Sequence, residues 1–332
     1  MKKSLKSQGF FIFTPKYQIL KIEKSHLEKV LERVQPHIHR TPVLSSGLLN
    51  EMAGTDLWFK CENFQKMGAF KMRGATNAIL NLSEEKKSRG VVTHSSGNFA
   101  QALSLAAKSL NVPAYIVMPD SAPEVKKAAV RTYSGKITEC PSTIRDREET
   151  ASKIQKETGA TFIHPSNDID VILGQGTAAM ELLQDHPDLD YIICPVGGGG
   201  LIAGTALAVK YFGNNCKCIG GEPIEADDAW RSLNSGKIET NDSANTIADG
   251  LKTQLGDQNF PIILENVEEI IRVTEDEIKS ALKLIWERMK IVVEPSSAVP
   301  LAAIMKEKGK FKNKKVGIII SGGNVDLSKL PF

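Results

Sequence analysis

No stretch of this chain reaches the ~18 consecutive apolar residues that a membrane-spanning helix needs. Its 41% hydrophobic content is therefore read as the interior of a soluble globular protein. One-sided charge is also missing. The 42 Lys and Arg residues against 39 Asp and Glu leave a net charge of +3 over 332 residues, so no surface is marked for nucleic acid or an anionic membrane. A small molecule is the default partner. The five cysteines, Cys61, Cys140, Cys194, Cys216 and Cys218, lack the paired C-x-x-C spacing of a zinc site and are odd in number. They read as buried free thiols in a reducing compartment. The start, Met1-Lys2-Lys3, could imitate a signal peptide, but Gln8 to Lys21 has neither an apolar core nor a small-residue cleavage site. The expectation is a cytoplasmic protein with an N-terminal arm over residues 1–22. Internal repeats and low-complexity linkers are absent, which excludes a solenoid or a beads-on-a-string chain.

What the chain does have is alternation. Short apolar runs alternate with segments of helical period, the pattern of βαβ units around parallel sheets. Candidate strands are 56–61, 90–93, 114–118, 136–139, 161–164, 191–194, 217–220, 269–273 and 315–320. Thr274-Glu275-Asp276-Glu277 fits a capping box ahead of the periodic apolar positions Ile278, Leu282, Ile285 and Met289. Nine strands are many for one open sheet, so the expected fold class is α/β with two domains, each with a mainly parallel twisted sheet. Residues 81–167, with four evenly spaced strands, would form a small inserted domain. Residues 1–80 and 168–332 would form the large, cofactor-binding one. A ligand belongs in the cleft between them.

Four loops at strand ends carry the chemistry, which is where open α/β sheets bind ligands. The first, Gln65-Lys66-Met67-Gly68-Ala69-Phe70-Lys71-Met72-Arg73-Gly74-Ala75, sets an aromatic ring and a primary amine side by side before a helical run. That layout suits a lysine that must form a Schiff base with pyridoxal phosphate. Its proton affinity has to be lowered by burial or by cations, which Phe70, Lys66 and Arg73 could supply. The second loop holds Ser95, Ser96, Gly97 and Asn98, whose exposed amides and hydroxyls suit a carboxylate or phosphate. The third is the run Gly197, Gly198, Gly199, Gly200 between a strand and a helix, free of side chains that would keep an anion away from the backbone N–H groups. The fourth, Ser321-Gly322-Gly323-Asn324, offers a hydroxyl to a ring nitrogen and room for a flat ligand. A dinucleotide reading competes at the third loop, since Glu222 follows it by about 20 residues at the end of the next strand. Against that reading, the glycines are continuous rather than spaced G-x-G-x-x-G, and no hydride-transfer partner is evident.

Taken together, QKMGAFKMRGA, SSGN, GQGT at Gly174 to Thr177, PVGGGG, ADG at Ala248 to Gly250, VEPSS at Val293 to Ser297 and SGGNVD at Ser321 to Asp326 resemble the serine/threonine dehydratase and serine racemase family. These are fold-type II pyridoxal phosphate enzymes with the active site in the interdomain cleft, and the match runs from about His39 to Asp326. The resemblance implies that Lys71 bonds the cofactor and that Phe70 packs on its ring. Asn98 would meet the ring's phenolic oxygen, Gly197 to Gly200 the phosphate, and Ser321 the pyridine nitrogen. Glu294 would lie near the ring edge and Gly250 in the pocket wall. Ser95, Ser96, Gly97 and Asn98 would bind the substrate, with Ser96 catalytic on the face opposite Lys71. Glu222, Asp228 and the carbonyl of Ala226 would ligate a divalent cation, and all-oxygen ligation suits Mg2+, Mn2+ or Ca2+.

The implied reaction is dehydration and deamination of L-serine or L-threonine to a 2-oxo acid and ammonia through an aminoacrylate. Alternatives are serine racemisation as the main activity, 3-hydroxyaspartate ammonia-lyase activity, or a non-catalytic cofactor-binding protein. A cysteine synthase shares the fold type, but the FKxRGA and SGGNVD patterns fit dehydratases better. Phe99 stands where the family usually has His, which puts substrate choice in question. The family is usually homodimeric, and a homodimer is expected. With the chain stopping at Phe332, no regulatory domain and no isoleucine feedback are expected.

Overall fold

A computed structural model describes residues 21–328 and 330; most of the expected N-terminal arm, residues 1–20, lies outside the described residues. Among the described residues, ten strands form two sheets: β1 (Val43–Leu44), β2 (Asp56–Cys61), β3 (Val91–His94), β4 (Ala114–Pro119), β5 (Lys136–Cys140), β6 (Thr161–Phe162), β7 (Tyr191–Pro195), β8 (Lys217–Pro223), β9 (Val267–Val273) and β10 (Lys315–Ile320). The larger sheet runs β1-β2-β10-β7-β8-β9 and the smaller β5-β4-β3-β6. All pairings are parallel except β1 with β2. The fold is thus the expected α/β pair of mainly parallel sheets. β1, two residues long, is too short to show any period and was not expected.

The expected strand 161–164 ends at Phe162. Beyond it the chain turns so that His164 Nδ1 accepts the amides of Ser166 and Asn167, at 3.2 and 2.8 Å. The capping box at Thr274 forms as expected, with Thr274 Oγ1 accepting from Glu277 N and the Glu277 side chain accepting from Thr274 N.

Both faces of the larger sheet are covered, as buried parallel sheets require. Along β7, Ile192 and Cys194 join one core and Ile193 the other; along β10, Ile319 and Ile318 divide the same way. The first core also takes in Val91, Ile116 and Met118 of the smaller sheet, so one apolar layer runs under both sheets.

Parallel strands end on one edge, and this places the loops. β10 pairs with β2 and with β7, so the segments after Cys61, Ile320 and Pro195 emerge side by side. β3 pairs with β6, which likewise sets Ser95 to Asn98 beside His164 to Asn167.

Candidate active site

Lys71 opens the helix Lys71–Leu80, with Phe70 as its cap. The approach is tied to the loop after β10. Phe70 N donates to Ser321 O at 2.9 Å, Gly323 N donates to Gly68 O at 2.9 Å, and Ala69 bridges Gly322. The Lys71 amine donates to Pro165 O at 2.7 Å. It sits 5.0 Å from the centre of the Phe70 ring and 5.7 Å from that of Phe99. Phe70 is 8% and Phe99 2% exposed. Lys71 keeps some surface overall, but its amine end is enclosed, and burial lowers its pKa to about 8 against the opposing pull of Glu294.

Neighbouring cations were expected to share that task, and they do not. Lys66 Nζ donates to His37 O at 2.7 Å. Arg73 is wholly buried and forks onto two carboxylates, Glu62 at 2.7 and 2.8 Å and Glu181 at 2.9 and 2.8 Å. Lys60 Nζ completes this neutral cluster at 2.6 Å from Glu181.

Asn98 begins the helix Asn98–Ser109 and donates its amide to both oxygens of Glu294, at 3.1 and 3.0 Å. Glu294 caps the helix Pro295–Lys306, is 3% exposed, and has its pKa raised to about 7, chiefly by burial and partly offset by the Asn98 amide. Gly250 lies beside it, its N–H donating to Ser296 Oγ at 3.2 Å. Ser321 is 2% exposed, and its hydroxyl lies 3.0 Å from Ser297 Oγ. Ser297 in turn donates to Gly322 O and accepts from Gly322 N, both at 2.8 Å. Ser95 accepts from Gly97 N at 3.3 Å, and Ser96 is half-buried in the same turn.

Gly197 to Gly200 run from β7 into the helix Gly200–Phe212, with Gly199 at φ 81° as its cap. The first amides of a helix have no partner within it and form an anion site. A Cβ on Gly198 would lie 2.5 Å from Ser166 Oγ, and one on Gly197 2.8 Å from Leu251 Cα. Side chains are excluded here, and Asn259 holds the loop by donating to Gly198 O and Ser166 O at 2.9 and 3.1 Å. The donors fit pyridoxal phosphate. A glycine cradle can receive a phosphate, an uncharged buried hydroxyl can meet a ring nitrogen, an amide can meet a ring oxygen, and a poised amine can bond the aldehyde.

Glu222 is next to last in β8 and Asp228 opens the helix Asp228–Ser235; both are 1% exposed, and Ala226 is fully buried between them in sequence. Glu222 accepts from the amides of Ala229 and Trp230 at 3.0 and 2.8 Å. Asp228 accepts from Asn241 at 2.6 Å and Leu255 N at 3.3 Å. Burial, then the charge of Asp228, pushes Glu222 well above the usual carboxylate range, and burial takes Asp228 to about 6. Among the described residues, no three His, Cys, Asp or Glu side chains gather as a metal-binding group. The donor set here is two carboxylates and a carbonyl.

Sequence reasoning missed Pro165, His164 and Asn259, and gave Asn324 and Ser297 no role of their own. The segment His164 to Asn167 carried the same signal as the other loops, a strand followed by small polar residues and a helix cap at Asp168. That cap is realised, with Asp168 Oδ1 accepting from Asp170 N and Val171 N. Burial lowers the pKa of His164 to about 4, which keeps its Nδ1 free to accept.

Residues 34–322 match the family model described as pyridoxal-phosphate dependent enzyme. The chain is 53% identical over 308 residues to a serine racemase of Dictyostelium discoideum, covering 92% of this chain and 95% of that protein. It is 50% identical over 301 residues to the beta-hydroxyaspartate dehydratase of Paracoccus denitrificans, covering 91% and 96%. The crystal structure of a T.th. threonine deaminase superposes with a TM-score of 0.88 at 41% identity, covering 93% of this chain and all of that one.

Proposed function

The chain belongs to the pyridoxal-phosphate dependent enzyme family, and from that premise we propose that it deaminates a β-hydroxy amino acid, L-serine or L-threonine, to a 2-oxo acid and ammonia. Racemisation of serine is the second output of the same site. The observation that carries this reading is the convergence of the Lys71 amine, the glycine cradle and the neutral Ser321 hydroxyl on one edge of the larger sheet.

When bound, pyridoxal phosphate supplies the electron sink that makes the α-proton removable. The protein's part is proton control and position. The Lys71 amine would take the α-proton at Nζ and pass it to the departing β-hydroxyl, which leaves as water. Ser321, whose hydroxyl has Ser297 as its described partner, carries no charge that would hold a proton on the ring nitrogen as a carboxylate does, which would favour prompt loss of the hydroxyl. Gly197, Gly198, Gly199 and Gly200 would hold the phosphate with helix-start amides. Ser95, Ser96, Gly97 and Asn98 receive the substrate carboxylate. Ser96, which the family resemblance would set on the face opposite Lys71, would return a proton there and so permit racemisation, a reading that the 53% identity to a serine racemase supports. The apolar ring of Phe99 beside Lys71 supports a small, uncharged substrate side chain over 3-hydroxyaspartate.

The proposal includes a divalent cation, Mg2+, Mn2+ or Ca2+, on Glu222, Asp228 and the Ala226 carbonyl. Two buried carboxylates that repel one another support it. Adding these cations should raise the melting temperature of the wild type and leave Asp228→Asn unchanged; equal responses would remove the site. It also includes a homodimer, a cytoplasmic location supported by five buried free thiols, and a division into domains 1–80 with 168–332 and 81–167, supported by sheet membership. No helix among the described residues is long and apolar enough to cross a membrane.

The test is one incubation of the protein with L-serine, pyridoxal phosphate and Mg2+, with pyruvate and D-serine measured together and L-threonine and 3-hydroxyaspartate run alongside. Pyruvate in excess supports the dehydratase. D-serine at equal or higher yield makes racemisation the main reaction, and no turnover of any of the three leaves a non-catalytic cofactor-binding protein.

A further inference from the structure

An asparagine side chain has a donor end and an acceptor end, and a 180° flip exchanges them. Which end Asn98 turns into the cleft decides whether it can donate to a ring oxygen or only accept from one. The hydrogen bonds around it leave a single choice.

Asn324 Nδ2 donates to Met67 O and to Asn98 Oδ1, both at 2.9 Å. Met67 O is a backbone carbonyl and can only accept, so the NH2 of Asn324 must face it, and the second hydrogen of that NH2 is free for Asn98. Asn98 therefore presents its oxygen to Asn324 and its NH2 to the Glu294 carboxylate, at 3.1 and 3.0 Å. Flipping Asn98 would set NH2 against NH2 at one end and oxygen against carboxylate at the other. Flipping Asn324 would set its oxygen against Met67 O. The Asn324 oxygen lies 2.9 Å from where a Cβ on Gly68 would be, and Gly68 stands at φ 77°, so a side chain there would dislodge it. The relay thus starts in the turn just before Lys71, on the larger-sheet side, and ends on a residue that follows β3 of the smaller sheet.

We propose that Asn324 is a positioning residue that fixes the polarity of the Asn98 amide, so that Asn98 faces the cofactor as a hydrogen-bond donor. This rests on the reading above that Asn98 meets the phenolic oxygen of pyridoxal phosphate. One hydrogen of the Asn98 NH2 stays with Glu294 and the other is available to that oxygen. A donor there favours the ionised oxygen; an acceptor there favours the oxygen that keeps its proton.

The test is Asn324→Asp, which keeps the shape but cannot donate and so draws the Asn98 NH2 toward itself. Asn324→Ala removes the same donors without adding charge. The readouts are the visible and near-ultraviolet absorption of the bound cofactor across pH and the dissociation constant for pyridoxal phosphate. Melting temperatures are followed in parallel. N324D should move absorbance from the yellow, oxygen-ionised form toward the near-ultraviolet form and weaken cofactor binding roughly tenfold. N324A should shift the same way, less far. In an Asn98→Ala background, N324D should add almost nothing, since the effect passes through Asn98. Wild-type spectra in both Asn324 variants, or an undiminished N324D effect in the Asn98→Ala background, would overturn the proposal. If borohydride fixes no cofactor on Lys71 of the wild type, or Asn98→Ala leaves the spectrum unchanged, the underlying site reading fails instead.

Discussion

Burial between Phe70 and Phe99, with no free cation beside it among the described residues, is what loosens the proton of the Lys71 amine. The direction follows from desolvation, which disfavours the ammonium form. An ordinary lysine loses its proton near ~10.4, whereas the Lys71 amine does so at about 8. The rate at which protein stripped of cofactor captures pyridoxal phosphate should rise with pH and level off just above 8, read from the growth of visible absorbance. A midpoint near that of free lysine would contradict the enclosure. The linked stability term has the opposite sense from a salt-bridged lysine. Between about 8 and ~10.4 the unfolded chain holds more protons, so the cost of burying this amine is full below 8 and is released as pH rises through that window. The lysine and its ring were legible in the sequence as Phe70-Lys71. The contribution of Phe99 was not, because nothing in a linear chain says which residue of a different loop will lie within 6 Å.

Elements meet closely where glycines allow it. The helices Ile169–Asp185 and Gly200–Phe212 cross so that a Cβ on Gly204 would stand 2.3 Å from Ile172 O and 2.6 Å from Gly176 N. Both obstacles are backbone, so neither can swing away. Gly204→Ala should therefore destabilise the protein by about 3 kcal/mol, despite the better helix propensity of alanine. Thermal unfolding measures it, and an unchanged or raised melting temperature would show that the helices can part at little cost. The crossing supports the site, since the first helix leaves the Pro165 segment and the second begins at the glycine cradle. GQGT and PVGGGG announced glycines that matter. Only the packed helices show that Gly176 and Gly204 face each other, while Gly197 to Gly200 line a loop.

At the scale of the whole molecule, Arg73 and Lys60 with Glu62 and Glu181 form a closed, solvent-free group joining β2, the helix that carries Lys71 and the helix Ile169–Asp185. Removing one partner of such a group strands charge in a low-dielectric interior. Arg73→Leu leaves two buried carboxylates with Lys60 alone and should cost at least about 3 kcal/mol. Arg145→Ala, which breaks an exposed pair with Glu149, should leave the melting temperature nearly unchanged. Comparable losses in the two variants would mean that the buried group is not a structural centre. In the sequence, Arg73 read as a cation tuning Lys71. The fold instead gives its charge to Glu62 and Glu181, which lie 11 residues before and 108 residues after it.

The sequence by itself determined the α/β class, the positions of nine strands within a few residues, the capping box at Thr274 and the loops that follow the strand ends. These follow from local causes: hydrophobic period, β-branched runs, glycine freedom and helix-start amides. Tertiary structure alone decided that β10, last in the chain, lies between β2 and β7, so that Ser321 stands beside Lys71. It also decided that Pro165 O receives the lysine, that Ser297 orients Ser321, and that Asn324 meets Asn98 across 226 residues. Strand order and register are set by which apolar faces bury one another across the assembled core, and no period in the chain encodes that choice.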